Sequence, residues 1–233
     1  MRPPVTDTLM EEGFFITFEG TEGTGKSTQA ALLGKELRRR GRGVVLTREP
    51  GGTRLGEELR KILLGLTYEG LSAMSELFLY MADRAQHMAE VIIPSLQEGK
   101  IVICDRFTDA TVAYQGFGRG ISRERIGALN REATSGKFPD LTLLLDLQDV
   151  TAGLRRAMKR NAEEGLEGSE DRFEREETAF HCRVRDGYRS VAEGEPGRFA
   201  VFSAALPVDE LHQRILGRVL QVLPPQEGHA GGM

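Results

Sequence analysis

Residues 18–28 read FEGTEGTGKST, and within them Gly20-Thr-Glu-Gly-Thr-Gly25-Lys26-Ser27 sets two glycines five positions apart, followed at once by a lysine and a hydroxyl residue. Glycine frees the backbone of such a turn, so successive N–H groups can point inward around an anion. The positive end of a following helix adds to that preference. The context fits this reading. FFITFEG (14–20) is a short apolar strand, and KSTQAALLGKELRRR (26–40) carries Ala30, Leu33 and Leu37 at helical spacing. A strand that passes through a glycine turn into an amphipathic helix is the first half of a right-handed βαβ unit, which commits the chain to a parallel sheet.

The same alternation continues along the chain. VVLT (44–47), IVICDR (101–106), LTLLLDL (141–147) and FAVFSA (199–204) read as further strands, the fourth apolar enough for a sheet buried on both faces. Between them the pattern predicts helices over about 55–64, 72–98 with a kink at Pro94, a short one after Thr108, then 122–135, 150–164, 174–192 and 207–223. The expected fold is α/β, a five-stranded parallel sheet flanked by helices in three layers. It forms one domain over 13–223, with loose ends at 1–12 and 224–233. Ligands of such sheets sit at the carboxyl ends of the strands. Gly20–Ser27, Arg48–Thr53, Asp105–Arg106 and Asp146 all fall there and are expected to converge on one crevice.

Composition narrows the partners. A net charge of −4 gives no general affinity for nucleic acid or anionic membranes. No run reaches the roughly 18–20 apolar residues that span a bilayer, and MRPPVTDTLMEEG lacks the apolar core of a secretory signal. The chain reads as soluble and cytosolic. Cys104 and Cys182 have no CxxC neighbours and read as reduced thiols, while His87, His181, His212 and His229 do not cluster at metal-ligand spacing.

The glycine turn matches GxxxxGK[ST], the P-loop pattern. Gly20, Thr21, Glu22, Gly23, Thr24, Gly25, Lys26, Ser27 and Thr28 are the expected ATP-binding residues, with Lys26 on the β- and γ-phosphates and Ser27 on Mg²⁺. No NKxD specifies guanine, and the chain is small for a motor or transporter ATPase. A small phosphotransferase leads, with a second substrate site and a mobile arginine-rich cover. Asp105, after an apolar strand, reads as a second Mg²⁺-positioning carboxylate, and Arg106 beside it as a clamp for a second phosphate.

TREPGGT after the second strand, DRF after the third, and YxxxDR (Tyr80, Asp83, Arg84) on the long helix join the P-loop glutamate in order. Over about residues 14–222 the chain thereby resembles the bacterial thymidylate kinases, P-loop nucleoside monophosphate kinases that phosphorylate dTMP to dTDP with ATP. The resemblance implies that Arg48 and Pro50 shape the monophosphate pocket and that Arg106 holds the dTMP phosphate. It implies that Tyr80, where many relatives have Phe, stacks on thymine while Arg84 donates to its O4. Thr111 then lies near thymine N3, Tyr114 crowds the sugar 2′ position, and Gln115 supports the base. Glu22 would accept a hydrogen bond from the sugar 3′-hydroxyl. FSAALP (202–207) would lie along the adenine, and the family forms homodimers. The stripe of Leu77, Met81, Met88 and Ile92 suits either a dimer face or the chain's own core.

LRRAMKRNAEEGLEGSEDRFERE (154–176) mixes arginines with Glu163, Glu164, Glu167, Glu170, Asp171 and Glu174, and reads as a helical lid over about 150–176. Relatives that lack an arginine in the P-loop supply arginines from the lid, and this loop has none. Arg160 and Arg172, then Arg156, are the expected catalytic lid arginines beside Lys26 and Arg106. Two rivals stay open, a kinase for another nucleoside monophosphate and a non-catalytic ATP-sensing protein.

Overall fold

A computed structural model describes residues 13–68, 70–165 and 172–225. The expectations for 1–12, for the tail beyond 225 and for Glu167, Glu170 and Asp171 lie outside the described residues.

Strands β1 (Phe14–Glu19), β2 (Val44–Arg48), β3 (Ile101–Asp105), β4 (Leu141–Asp146) and β5 (Phe199–Ser203) form one parallel sheet in the order β2-β3-β1-β4-β5. The strand carrying the glycine turn is therefore central, and the order reverses beside it, which opens a crevice above its carboxyl end. Pleating sends alternate residues to opposite faces. Ile16, Phe18, Ile103, Leu143 and Leu145 pack with Leu33 and Leu37 of α1 (Lys26–Arg39) and with Leu211 and Ile215 of α9 (Val208–Val222). On the other face Phe15, Val102 and Cys104 meet the long helix between β2 and β3. There too, Leu144 meets α8 (Thr178–Gly194).

That long helix is α3 (Ala73–His87), one π turn (Met88–Ile92) and α4 (Ile93–Gln97). The expected break at Pro94 is absorbed by the wide turn just before it, and Pro94 occupies the first turn of α4, where its missing N–H has no cost. Leu77, Met81, Met88 and Ile92 are all buried within the chain, so this stripe is core. The remaining helices are α2 (Arg54–Leu64), α5 (Thr108–Thr111) continuing into a π segment (Val112–Gly118), α6 (Arg123–Thr134) and α7 (Val150–Glu163). Helix α8 begins at Thr178 rather than near 174. Residues 172–176 form turns because they dock sideways: the Arg172 N–H donates to Leu64 O at 3.1 Å and Phe173 is buried among the α8 aromatics. Among the described residues no helix is long and apolar enough to cross a membrane.

Candidate active site

A cavity of about 550 Å³ opens above the carboxyl ends of β1, β2 and β3. Its wall brings together Glu22, Gly23, Gly25, Lys26, Ser27 and Thr28 with Arg48 and Pro50, Tyr80 and Arg84, Asp105 and Arg106, Thr111, Tyr114, Gln115 and Arg160. A second cavity of about 350 Å³ continues from Gly23, Thr24, Gly25 and Thr28 to Arg156, Ala204, Leu206 and Pro207. Two separated spaces thus share one glycine turn.

Lys26 opens α1, and its ammonium folds back over the loop. It donates to Gly20 O at 3.0 Å and Thr21 O at 2.7 Å, with Thr24 Oγ1, itself bonded to Thr21 O, at 3.4 Å. Burial, reinforced by the charge of Arg106, pushes Lys26 down to about 8. A buried cation satisfied by carbonyls is poised to exchange them for phosphate oxygens. Next to it, Ser27 Oγ donates to Asp105 Oδ2 at 2.5 Å. A hydroxyl and a carboxylate in contact are the hard oxygen donors Mg²⁺ takes, and that ion needs only one or two protein oxygens when phosphates and water complete its shell. Among the described residues no group of three or more His, Cys, Asp or Glu suits a protein-caged metal.

Helix α7 rides directly on the loop. Gly23 has φ +66°, and a methyl added there would sit 2.0 Å from Gly153 O in the first turns of α7. Gly23→Ala is therefore expected to displace α7 and weaken a non-hydrolysable ATP analogue at least about tenfold in calorimetric titration. An unchanged affinity shows that loop and lid helix are not coupled.

Across the cavity from the glycine turn, Arg106 leaves β3 with φ +69°, a backbone region that non-glycine residues seldom occupy and that clusters at functional sites. Its N–H is fixed to Phe18 O at 2.9 Å. The guanidinium lies 4.9 Å above the Tyr114 ring and donates to Tyr188 Oη at 3.1 Å and Glu22 Oε1 at 3.2 Å. Tyr114 donates to the same Glu22 oxygen, and His181 Nδ1 lies 3.1 Å from the other. Burial opposes the Glu22 charge, but the His181 hydrogen bond and Arg106 prevail and hold its carboxyl well below the usual range. The acid in the glycine turn is thus ionised, and its charge is directed at Arg106 and His181. Behind it Glu19 accepts from Phe107 N and Tyr188 Oη, each at 2.7 Å, and burial together with Asp109 raises it to about 7.

Arg84 is buried, and each of its three nitrogens is held by hydrogen bonds. Nε donates to Glu49 Oε2 at 2.9 Å, with Nη2 in ion-pair contact with the same oxygen at 2.8 Å, Nη1 donates to Thr111 Oγ1 and Asn130 Oδ1 at 3.0 and 2.7 Å, and Nη2 donates to Phe107 O at 3.0 Å. It stands in the cavity wall already tied into the fold. Gln115 donates to Glu76 Oε1 at 2.8 Å, and half-exposed Arg48 pairs with Glu57 at 3.1 Å on the rim.

Two expectations need correction. Arg172 does not reach the cavity: its Nε donates to Leu63 O at 2.5 Å and Nη1 to Glu76 Oε2 at 2.8 Å, with the guanidinium 4.4 Å over Phe173. A buried acid and an aromatic face outcompete the open crevice for it. Asp146 does not converge with the others either, because Arg185 holds it in two hydrogen bonds of 2.7 and 2.8 Å. Glu19, Glu76, His181 and Tyr188 are not singled out by the sequence pattern. Glu19 ends an apolar strand and the others sit on helices among ordinary neighbours, and only the packing of α3 and α8 against the sheet gives each its partner.

The family model for thymidylate kinase matches residues 18–215. The thymidylate kinase of Desulfovibrio desulfuricans is 54% identical over 197 residues, 84% of this chain and 90% of its own. That of Solidesulfovibrio magneticus is 53% identical over 209 residues, 90% of this chain and 100% of its own. The crystal structure of thymidylate kinase from Ehrlichia chaffeensis superposes with a TM-score of 0.71 at 36% identity, covering 89% of this chain and 98% of that one. A phosphate loop faced by a strained arginine, in a chain this similar over most of its length, belongs to the thymidylate kinase family.

Proposed function

We infer that the chain transfers a phosphoryl group from ATP to dTMP, forming dTDP, with the triphosphate in the glycine loop and the acceptor over Arg106. Arg106 carries this reading. A sensor of ATP alone has no use for an arginine held at φ +69° and aimed across the cavity from the P-loop. In-line transfer asks the protein to position two nucleotides and to neutralise charge, with no covalent intermediate. Lys26 gives up the loop carbonyls for the β- and γ-phosphate oxygens. Ser27 and Asp105 are the residues that would hold Mg²⁺, which when bound spreads the charge of the triphosphate. Arg106 and Arg48 hold the acceptor phosphate, whose own oxygen is the nucleophile and needs no strong base, since its second pKa is about 6.

Arg160 is the lid arginine for the transferring group, supported by its place in the cavity wall, and Arg156 serves the adenine end beside Leu206 and Pro207. Tyr80 stacks on thymine while Thr111 and Gln115 border it. Arg84 reaches O4 by sharing the N–H it now gives Thr111. Tyr114 gates the 2′ position, with Pro50 closing the pocket. Closure of residues 150–176 excludes water. A homodimer is supported by exposed Leu55 and Phe78 on the adjoining helices α2 and α3.

An ADP-release assay with dTMP, dUMP, CMP, AMP and GMP at fixed ATP tests the inference. The highest kcat/KM is expected for dTMP. A preference for another monophosphate overturns the base assignment, and ADP release indifferent to any acceptor overturns the kinase reading.

A further inference from the structure

His181 lies in the first turn of α8, fully buried, between two groups that only accept. Its Nδ1 is 3.1 Å from Glu22 Oε2, and its Nε2 is 2.9 Å from the Phe173 carbonyl oxygen at the lid's returning arm. Glu22 is ionised, so it has no proton to offer, and a carbonyl never does. Both contacts are hydrogen bonds only if each ring nitrogen carries hydrogen, which makes the ring an imidazolium. A neutral ring keeps one bond and turns a lone pair toward the other acceptor.

The surroundings bear on that charge. Glu22 and Glu174 stand on one side as acids, with Lys26, Arg106 and Arg160 as the cations near them, and Tyr114 and Tyr188 as the phenols beside Arg106. Glu22 divides its two oxygens between these groups. Oε1 takes Arg106 and Tyr114, while Oε2 has His181. Take away the His181 donor and the carboxylate is pinned at one oxygen only, free to turn about it.

We propose that His181 is a positioning residue for the acceptor, a doubly donating imidazolium that fixes the Glu22 carboxylate and fastens it to the lid arm at Phe173. It touches neither nucleotide and acts through Glu22 on the acceptor and through Phe173 on the lid. The proposal rests on the reading of this cavity as the dTMP site.

The two amide side chains separate its two bonds. In His181→Asn the amide nitrogen stands where Nδ1 is and keeps the bond to Glu22. In His181→Gln it stands where Nε2 is and keeps the bond to Phe173. Steady-state kinetics of the full-length enzyme at pH 7 are expected to show KM for dTMP raised about tenfold in His181→Gln relative to His181→Asn, the loss of one charge-assisted hydrogen bond. KM for ATP is expected to stay within about twofold, and the two variants to melt together. Equal KM for dTMP in the two variants overturns the proposal. A readout free of turnover separates this from failure of the acceptor reading. The long-range nitrogen–proton spectrum of the substrate-free wild type is expected to show both ring nitrogens of His181 protonated at pH 7, and one bare nitrogen overturns the proposal whatever the substrate.

Discussion

Lys26→Met is expected to slow dTMP phosphorylation by at least about 10³-fold while leaving a protein that melts no lower than the wild type. The two halves of that result have one cause. The ammonium is 7% exposed and sits among carbonyls of the loop, where burial lowers its pKa from 10.5 to about 8. A lysine whose folded pKa lies below its unfolded one binds fewer protons when folded. It therefore destabilises the fold at every pH below about 8, and the penalty fades as pH rises from about 8 to 10.5. A thioether of similar length removes the buried charge, and the loss of its bonds to Gly20 O and Thr21 O offsets part of that gain. The net change in unfolding free energy is expected to lie between 0 and about +2 kcal/mol at pH 7, vanishing above pH 10. Calorimetric melting across pH, with turnover in parallel, checks both. Near-normal turnover removes Lys26 from the chemistry. A fall in melting temperature at pH 7 means that the carbonyl contacts outweigh the buried charge, and that the loop depends on its lysine to fold.

What the sequence disclosed was local, and what it hid was not. The five strands, and most helix ends to within two residues, follow from apolar periodicity and from glycines at the turns, which neighbouring residues determine. The phosphate loop is legible for the same reason, being contiguous and built mainly from backbone. Glu22 gathers Arg106 and His181 from 84 and 159 positions away, and no local pattern marks a histidine at 181 as the partner of an acid at 22. Arg172 shows the converse. It lies in a stretch dense with arginines, and composition does not tell which of them turns to the crevice and which to Glu76. Arg84 was assigned to a base through the resemblance, and it does stand in the cavity wall. What the pattern does not convey is that all three of its nitrogens are already held within the fold.

Arg84→Met is expected to lower the free energy of unfolding by about 3–5 kcal/mol, the range for removing one partner of a buried ion pair. Glu49 is 3% exposed, and Arg84 supplies one of its oxygens with a hydrogen bond and an ion-pair contact, leaving only His87 Nδ1 at 3.0 Å on the other oxygen. Thr111, Asn130 and the Phe107 carbonyl lose a donor in the same step. These groups belong to the loop after β2, the segment after β3 and helix α6, so one guanidinium ties three parts of the cavity's surroundings to α3. Arg84→Lys keeps the charge but not the planar fork, and is expected to recover about half of the loss. Urea unfolding of the three proteins gives the stability series. Kinetics well below the transition then give KM for dTMP, expected to rise in both variants while KM for ATP stays within about twofold. If Arg84→Met keeps wild-type stability and raises KM for dTMP alone, the arginine is a base-recognition residue and its four internal hydrogen bonds contribute nothing. If stability falls and both KM values rise together, it is scaffold alone. A fall in stability with a selective rise for dTMP is the expected result if the wall that Arg84 holds together is the proposed dTMP wall.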